Sequence, residues 1–315
     1  MKLKGRESSM ADKVIKPPTK TLKRSGSRHL YMKLMLAPFL ILFTLFTLLP
    51  VISSVILSFF EYDIVGRMRF ASLDNYIFLL LHDEVFPTAL KNTLIFAAIT
   101  GPAGFFLSFL LAWFINEFGP KTRSLLSFLF YSPALMGNAY FIWQVLFSGD
   151  SYGYINSLLL SLNVIVSPIQ WLKDPAYALT IVIVVQLWMS MGVSFLANIA
   201  GLQNVNPELY EAGAIDGIKN RWFELWYITL PYMKNILLFS AVMQIASSFS
   251  VGHICIALTG HPSVNYSTET IVTHLIDMGT IRYEMGVAAA VSVLLFALMA
   301  CARLLIGKII NALGR

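Results

Sequence analysis

Glu211-Ala212-Gly213-Ala214-Ile215-Asp216-Gly217-Ile218-Lys219-Asn220-Arg221-Trp222-Phe223-Glu224-Leu225-Trp226-Tyr227-Ile228-Thr229-Leu230-Pro231 is a polar and aromatic segment lodged between two long apolar ones. Just ahead of it, Asn206-Pro207-Glu208 reads as a helix start. Asn206 suits the cap, Pro207 the first turn, and Glu208 and Glu211 the positive end of the helix dipole. Ala212, Gly213 and Ala214 leave room for another surface to approach the backbone. Asp216-Gly217 reads as a turn. Trp222 to Leu230 is then an aromatic, amphipathic run that Pro231 is expected to end.

The surroundings of this segment are those of a membrane protein. Of 315 residues, 57% are hydrophobic and 13% charged, about half the charge of a soluble domain. Six apolar stretches each approach the roughly 20 residues that cross a bilayer as helix. They are 34–60, 92–115, 124–147, 176–200, 232–259 and 286–307, with Pro38, Pro50, Gly101-Pro102, Pro133 and Gly192 as breakers inside them. An all-α membrane protein with six transmembrane helices is expected, its membrane domain covering 34–315 and its main loop 201–231. Residues 1–33 read as a basic tail, disordered for want of apolar side chains to bury. Lys and Arg set the orientation. With the N-terminus inside, the inner side holds the tail together with Lys121, Arg123, Lys219, Arg221, Lys234, Arg303, Lys308 and Arg315. The outer side holds only Arg67, Arg69, Lys91, Lys173 and Arg282. Both termini and the 201–231 loop are thereby expected in the cytoplasm. Beside a membrane span, the basic tail reads as a lipid-facing inner flank rather than a nucleic-acid site. Cys255 and Cys301 lie in apolar runs without ligand spacing, so no metal is expected.

The Glu211–Pro231 stretch resembles the cytoplasmic EAA loop of the permease subunits of bacterial ABC importers, E-A-A-x-x-D-G-A followed by a spacer and I-x-L-P. Glu211, Ala212, Asp216, Gly217, Ile228, Leu230 and Pro231 match; Gly213 stands for the second Ala and Ile218 for the Ala after the Gly. Phe59-Phe60-Glu61, Leu73-Asp74-Asn75-Tyr76 and Asn92-Thr93 are similar to the first outer loop of the carbohydrate-type group, which imports maltose-like oligosaccharides and glycerol phosphates. Ala71 and Ser72 depart from it, the group's Gly being absent. Trp143-Gln144, Gly153 and Asn156 before Leu158-Leu159 also match that group. The resemblance implies a type I importer permease fold with cytoplasmic coupling helices, in the bacterial plasma membrane. It implies a second homologous permease, two ATPase subunits carrying ATP and Mg, a solute-binding protein and a sugar substrate, with glycerol phosphate as the alternative. The residues carried over to ATPase coupling are Glu211, Ala212, Gly213, Asp216, Gly217, Phe223, Leu230 and Pro231.

No reactive set stands against that reading. Lys20-Thr21 and Lys121-Thr122 lack the glycines of a phosphate-binding loop, and no acid, base or metal set marks a membrane enzyme. Of the histidines only His253 falls in a span, where a satisfied buried side chain is expected. Mid-membrane charge and internal repeats, the marks of a secondary transporter, are missing. What remains is neutral polarity. Gln186, Ser190, Ser194 and Asn198 recur every four residues, and Ser240, Gln244, Ser247 and Ser248 share one helix face. Asn138, Tyr140 and Gln144 add a third group. These amides and hydroxyls either bond helix to helix or, beside Trp143, Trp188 and Phe249, face a sugar pathway. Gln186, Ser190, Gln244, Ser247, Ser248 and Gln144 are its candidates, with Gln186 and Gln244 expected on one shared cavity.

Overall fold

The computed structural model describes residues 26–63, 66 and 68–313. The expected disordered tail falls outside them over 1–25, as does Arg67. Two compact units divide the chain, Met1–Ile52 and Ser53–Arg315. α1 (Gly26–Phe43) passes through one π turn, Thr44–Leu48, into α2 (Leu49–Leu57), whose residues from Ser53 on belong to the second unit. Lys33–Leu57 is an apolar run of 25 residues. Its large side chains from Leu34 to Ile52 are exposed, Pro38 notwithstanding. A helix apolar all round is at home only in lipid or in a protein core.

The second unit continues with a short antiparallel ribbon, β1 (Phe60–Glu61) with β2 (Arg69–Phe70), and α3 (Asp74–Ile77). Then come α4 (Phe86–Asn116), α5 (Pro120–Leu135), α6 (Phe141–Leu146) and α7 (Tyr154–Ser161). After α8 (Pro175–Met189) and α9 (Val193–Gln203) the loop helices follow: α10 (Pro207–Ile215), α11 (Arg221–Glu224) and α12 (Leu230–Tyr232). The chain closes with α13 (Lys234–Phe249), α14 (His253–Thr259), α15 (Ile271–Ile276) and α16 (Met285–Leu313).

Among the described residues four helices are long and apolar enough to cross a membrane: Lys33–Leu57, Phe86–Asn116, Pro175–Gln203 and Met285–Lys308. A fifth appears if Arg221–Tyr232 and Lys234–Phe249, bent by 81°, count as one. The other expected crossings are interrupted. The 124–147 stretch is a 16-residue α5 that stops at Leu135, two residues past Pro133, before the turn leading to α6. The 232–259 stretch breaks between Phe249 and His253. Hydropathy sees apolar length and is blind to such breaks.

At the centre α4, α9 and α13 pack on one another through Phe109, Ala112 and Ile115, Phe195, Ile199 and Leu202, and Leu237. Close approach is possible because Gly201 lies against Met233; a Cβ there would meet the Met233 methyl at 2.7 Å. Three asparagines tie the connecting segments. Asn75 donates to the Ser58 and Phe60 carbonyls, both at 2.9 Å. Asn92 donates to three carbonyls between Tyr266 and Glu269, with Thr93 Oγ1 accepting from the Ile271 N–H at 2.9 Å. Asn156 does the same for the α6–α8 connection.

Candidate functional site

The 201–231 loop folds as its caps dictate. Asn206 Oδ1 accepts from the Glu208 N–H at 3.2 Å and starts α10 with Pro207 in its first turn. The helix stops where Gly217 takes a φ of +93°, a left-handed conformation that only glycine enters freely. Asn220 Oδ1 then accepts from the Trp222 N–H at 3.0 Å and starts α11. The helix widens into a π turn over Leu225–Thr229 and continues through α12.

Pro231 therefore does not end this run, as its sequence position suggests. A proline ring collides with the carbonyl four residues back in a regular helix. The π turn immediately ahead widens the backbone there, and the helix carries on to Tyr232. The direction changes at Met233, which is fully buried, and α13 leaves at 81°.

The loop is anchored from inside. Leu225, 5% exposed, and Met233 belong to the same apolar cluster as the centre of α4, α9 and α13. Leu225 is thus core, on the side of the run opposite its exposed aromatic residues. Gly213 is buried beneath Ile228, whose Cδ1 a Cβ would meet at 2.6 Å. The close approach that its small size permits is the loop folding on itself. Tyr210 Oη lies 2.9 Å from Thr229 Oγ1, fastening α10 to the π turn. Arg221 bridges Glu117 at the end of α4 (2.9 Å) and Glu224 (2.6 Å). The hydrogen bond that Arg221 donates to Glu224 foremost raises the Arg221 pKa above its ordinary value. Trp113 of α4 meets Trp222 at 5.1 Å between ring centroids. Sequence reasoning missed Trp113, Glu117, Tyr210 and Thr229, and it missed the Arg221–Glu224 pair, whose spacing of three was the one local signal.

Of the set carried by the resemblance, the loop leaves six residues outward. Glu211, Ala212, Asp216, Gly217, Phe223 and Pro231 are exposed, Leu230 is half-buried and Gly213 is covered. Trp222, Phe223, Trp226 and Tyr227 are each more than half exposed, with Phe223 and Tyr227 6.1 Å apart. Glu211 has no ion pair among the described residues.

The polar stripes meet differently from expectation. Gln186, Ser190, Ser194 and Asn198 do not share one unbroken helix, because a tight turn, the Gly192 N–H to the Ser190 carbonyl at 2.8 Å, separates α8 from α9. Gln186 and Gln244 take separate partners. Gln244 is 2% exposed, and its amide donates to the Thr100 carbonyl of α4 at 3.2 Å. Gln186 is half-buried and lies 3.4 Å from Ser247 Oγ. Ser190 and Ser248 bond carbonyls of their own helical turns, Leu187 and Ile245. Gln144 donates to the Ala257 carbonyl. Trp143 packs against Trp188 at 5.6 Å. Asn198 is fully buried with neither amide atom hydrogen-bonded.

The buried histidine is not His253, which is exposed, but His274 on α15. His274 Nε2 lies 3.0 Å from Asp83 Oδ2, and Asp83 Oδ1 accepts from the first N–H groups of α4. Hydropathy assigns His274 to a loop; that the loop packs down between α4 and α16 is a tertiary fact. Among the described residues no cluster of His, Cys, Asp and Glu has the makings of a metal site.

No family model matches the chain. It is 32% identical over 289 residues to the arabinooligosaccharides transport system permease protein AraP of Bacillus subtilis (strain 168), covering 89% of this chain and 90% of that one. With the lactose transport system permease protein LacF of Rhizobium radiobacter it shares 31% over 216 residues, 66% of this chain and 69% of the relative. Its fold matches a chain of a bacterial ABC transporter involved in the import of the acidic polysaccharide alginate, with a TM-score of 0.74 at 23% identity over 92% of this chain and 98% of that one. The loop that turns at Gly217, and a likeness to AraP running through nine-tenths of both chains, lead to one family: the chain belongs to the carbohydrate-type permease subunits of ABC importers.

Proposed function

We propose that this permease carries a sugar or oligosaccharide inward across a bacterial plasma membrane. The substrate comes from a solute-binding protein, and a second homologous permease completes the path. Two separate ATPase subunits hydrolyse ATP with Mg; members of this family are transport subunits rather than enzymes. The sugars in the names of the relatives support the substrate class. The bias of Lys and Arg supports cytoplasmic termini and a cytoplasmic 201–231 loop.

One observation carries the coupling role. The loop is fixed on its inner side to the helix core through Leu225 and Met233, and open on its outer side with four large aromatic side chains. Apolar surface of that kind marks an interface. A body so anchored passes motion to α13 and, through Arg221 and Trp222, to α4. Closure of the ATPase pair would then switch the helices as a rigid body. For the pathway, the half-exposed Gln186–Ser247 pair and Gln144 are the sugar-facing candidates, with the Trp143–Trp188 pair as an aromatic face. Gln244 ties α13 to α4 through the Thr100 carbonyl, and Ser190 and Ser248 bond carbonyls of their own turns.

The test uses the whole reconstituted importer. Glu211→Lys and Phe223→Ala should leave the permease in the membrane but weaken ATPase capture and abolish substrate-stimulated hydrolysis. Full capture together with full stimulation in both variants would falsify the coupling role.

A further inference from the structure

Between α6 and α8 the chain carries no charged residue from Ser151 to Leu172; Asp150 and Lys173 mark its limits. The segment is internally fixed. Asn156 is fully buried, donates to the carbonyls of Ser148, Asp150 and Ile169, and accepts from Trp171 Nε1 at 2.8 Å and the Ile169 N–H at 3.2 Å. What the segment turns outward is apolar. Tyr154, Leu158 and Leu162 recur every fourth residue along α7 and its C-cap, 67%, 59% and 62% exposed, and Tyr152, Val164 and Val166, flanking α7 in sequence, are exposed as well. Solvated loops do not ordinarily keep such a surface.

We propose that α7 lies flat in the membrane–water interface, with its Tyr154–Leu158–Leu162 stripe bedded in lipid. Continuity favours lipid over a protein partner: α6 just before exposes Phe141, Ile142 and Val145, and α8 just after opens a membrane-crossing run. Length agrees, since a helix of 8 residues is about 12 Å long, too short to cross and suited to lie along the surface. Tyr152, Tyr154 and Tyr177 put rings with polar tips where the headgroups lie. Because the segment is uncharged, attachment depends on apolar burial alone and needs no anionic lipid. The inference rests on the chain being a membrane protein and is independent of its substrate and its ATPase partner.

The test places single cysteines at Tyr154, Leu158, Leu162 and the exposed Ser157, with Cys255 and Cys301 replaced by Ala, in the full importer. Each carries an environment-sensitive fluorophore, in vesicles of phosphatidylcholine with or without phosphatidylglycerol. Headgroup-depth nitroxide lipid should quench the three stripe positions several-fold more than aqueous iodide does. Ser157 should show the reverse, and phosphatidylglycerol should change neither result. Iodide quenching of the stripe equal to that of Ser157 would put α7 in water. Protection from both quenchers would put it against protein, and a dependence on phosphatidylglycerol would make the contact ionic. Any of the three overturns the proposal.

Discussion

Gly213 and Gly217 are four residues apart, and their substitutions should behave in opposite ways. At Gly217 the space is open but φ is +93°. Gly217→Ala should cost about 1–2 kcal/mol through the left-handed backbone alone, and Gly217→Asn less, since Asn tolerates that region. At Gly213 the backbone is helical and the obstacle is the Ile228 δ-methyl, the movable end of a side chain. Gly213→Ala should be close to neutral, with up to about 1 kcal/mol of helix propensity offsetting the displaced methyl. Gly213→Leu should separate α10 from the π turn. Thermal midpoints of the purified permease rank the four variants; Gly213→Ala losing more than Gly217→Ala would refute the assignment. The two amides divide similarly. Gln244→Leu should cost about 1 kcal/mol, the scale of a hydrogen bond between membrane helices, and leave the half-saturating sugar concentration alone. Gln186→Leu should raise that concentration several-fold in transport assays. The reverse pattern would return Gln244 to the pathway. Asn198, buried without a partner, should be replaceable by Leu with a gain in stability, because an orphaned buried polar group costs about 1–3 kcal/mol.

The loop helices are held mainly by burial. Arg221 and Glu117 are 62% and 42% exposed, and solvent screening limits such a pair to about 1 kcal/mol or less. Leu225 is buried in the helix core, and Leu225→Ala should cost about 2–5 kcal/mol. Glu117→Gln should therefore leave the loop in place while Leu225→Ala frees it, as read by protease cleavage near Lys219 in inside-out vesicles. Equal protection in both variants would show that something else holds the loop. These elements also show where sequence stops informing. Asn206-Pro207 and Asp216-Gly217 are local signals that placed a cap and a turn, and four of the six apolar lengths placed a helix long enough to cross a membrane. The Arg221–Glu117 pair joins residues 104 positions apart. Gly213 reads as a partner's docking point until Ile228 is found above it. Pro231 reads as a terminator until the π turn ahead of it is known. Asn75, Asn92 and Asn156 stood out only by resemblance; their work, gathering carbonyls from distant loops, appears in the folded chain alone.

For the whole molecule, the orientation drawn from Lys and Arg is testable by cysteine labelling in intact cells. Ser72 and Val264, both exposed, should react from outside. Ser9, ahead of the described residues, should react only after the membrane is opened. Val264 is the better probe than its neighbour Ser263, which is 5% exposed. External labelling at Ser9 would invert the topology. The 81° bend at Met233 turns the loop and α13 into a crank. The short arm is the π-helical segment with its exposed aromatics, the long arm is α13, and the pivot is Met233 pressed on Gly201 of α9. With 16 residues the long arm measures roughly 24 Å, so a tilt of about ten degrees swings Phe249 through about 4 Å. Such a sweep is comparable to the width of a sugar ring, and it falls where the helix breaks between Phe249 and His253. Under the proposed coupling role, a small rotation of the loop would be geared up, with loss of force and gain of stroke, at the far end of the helix.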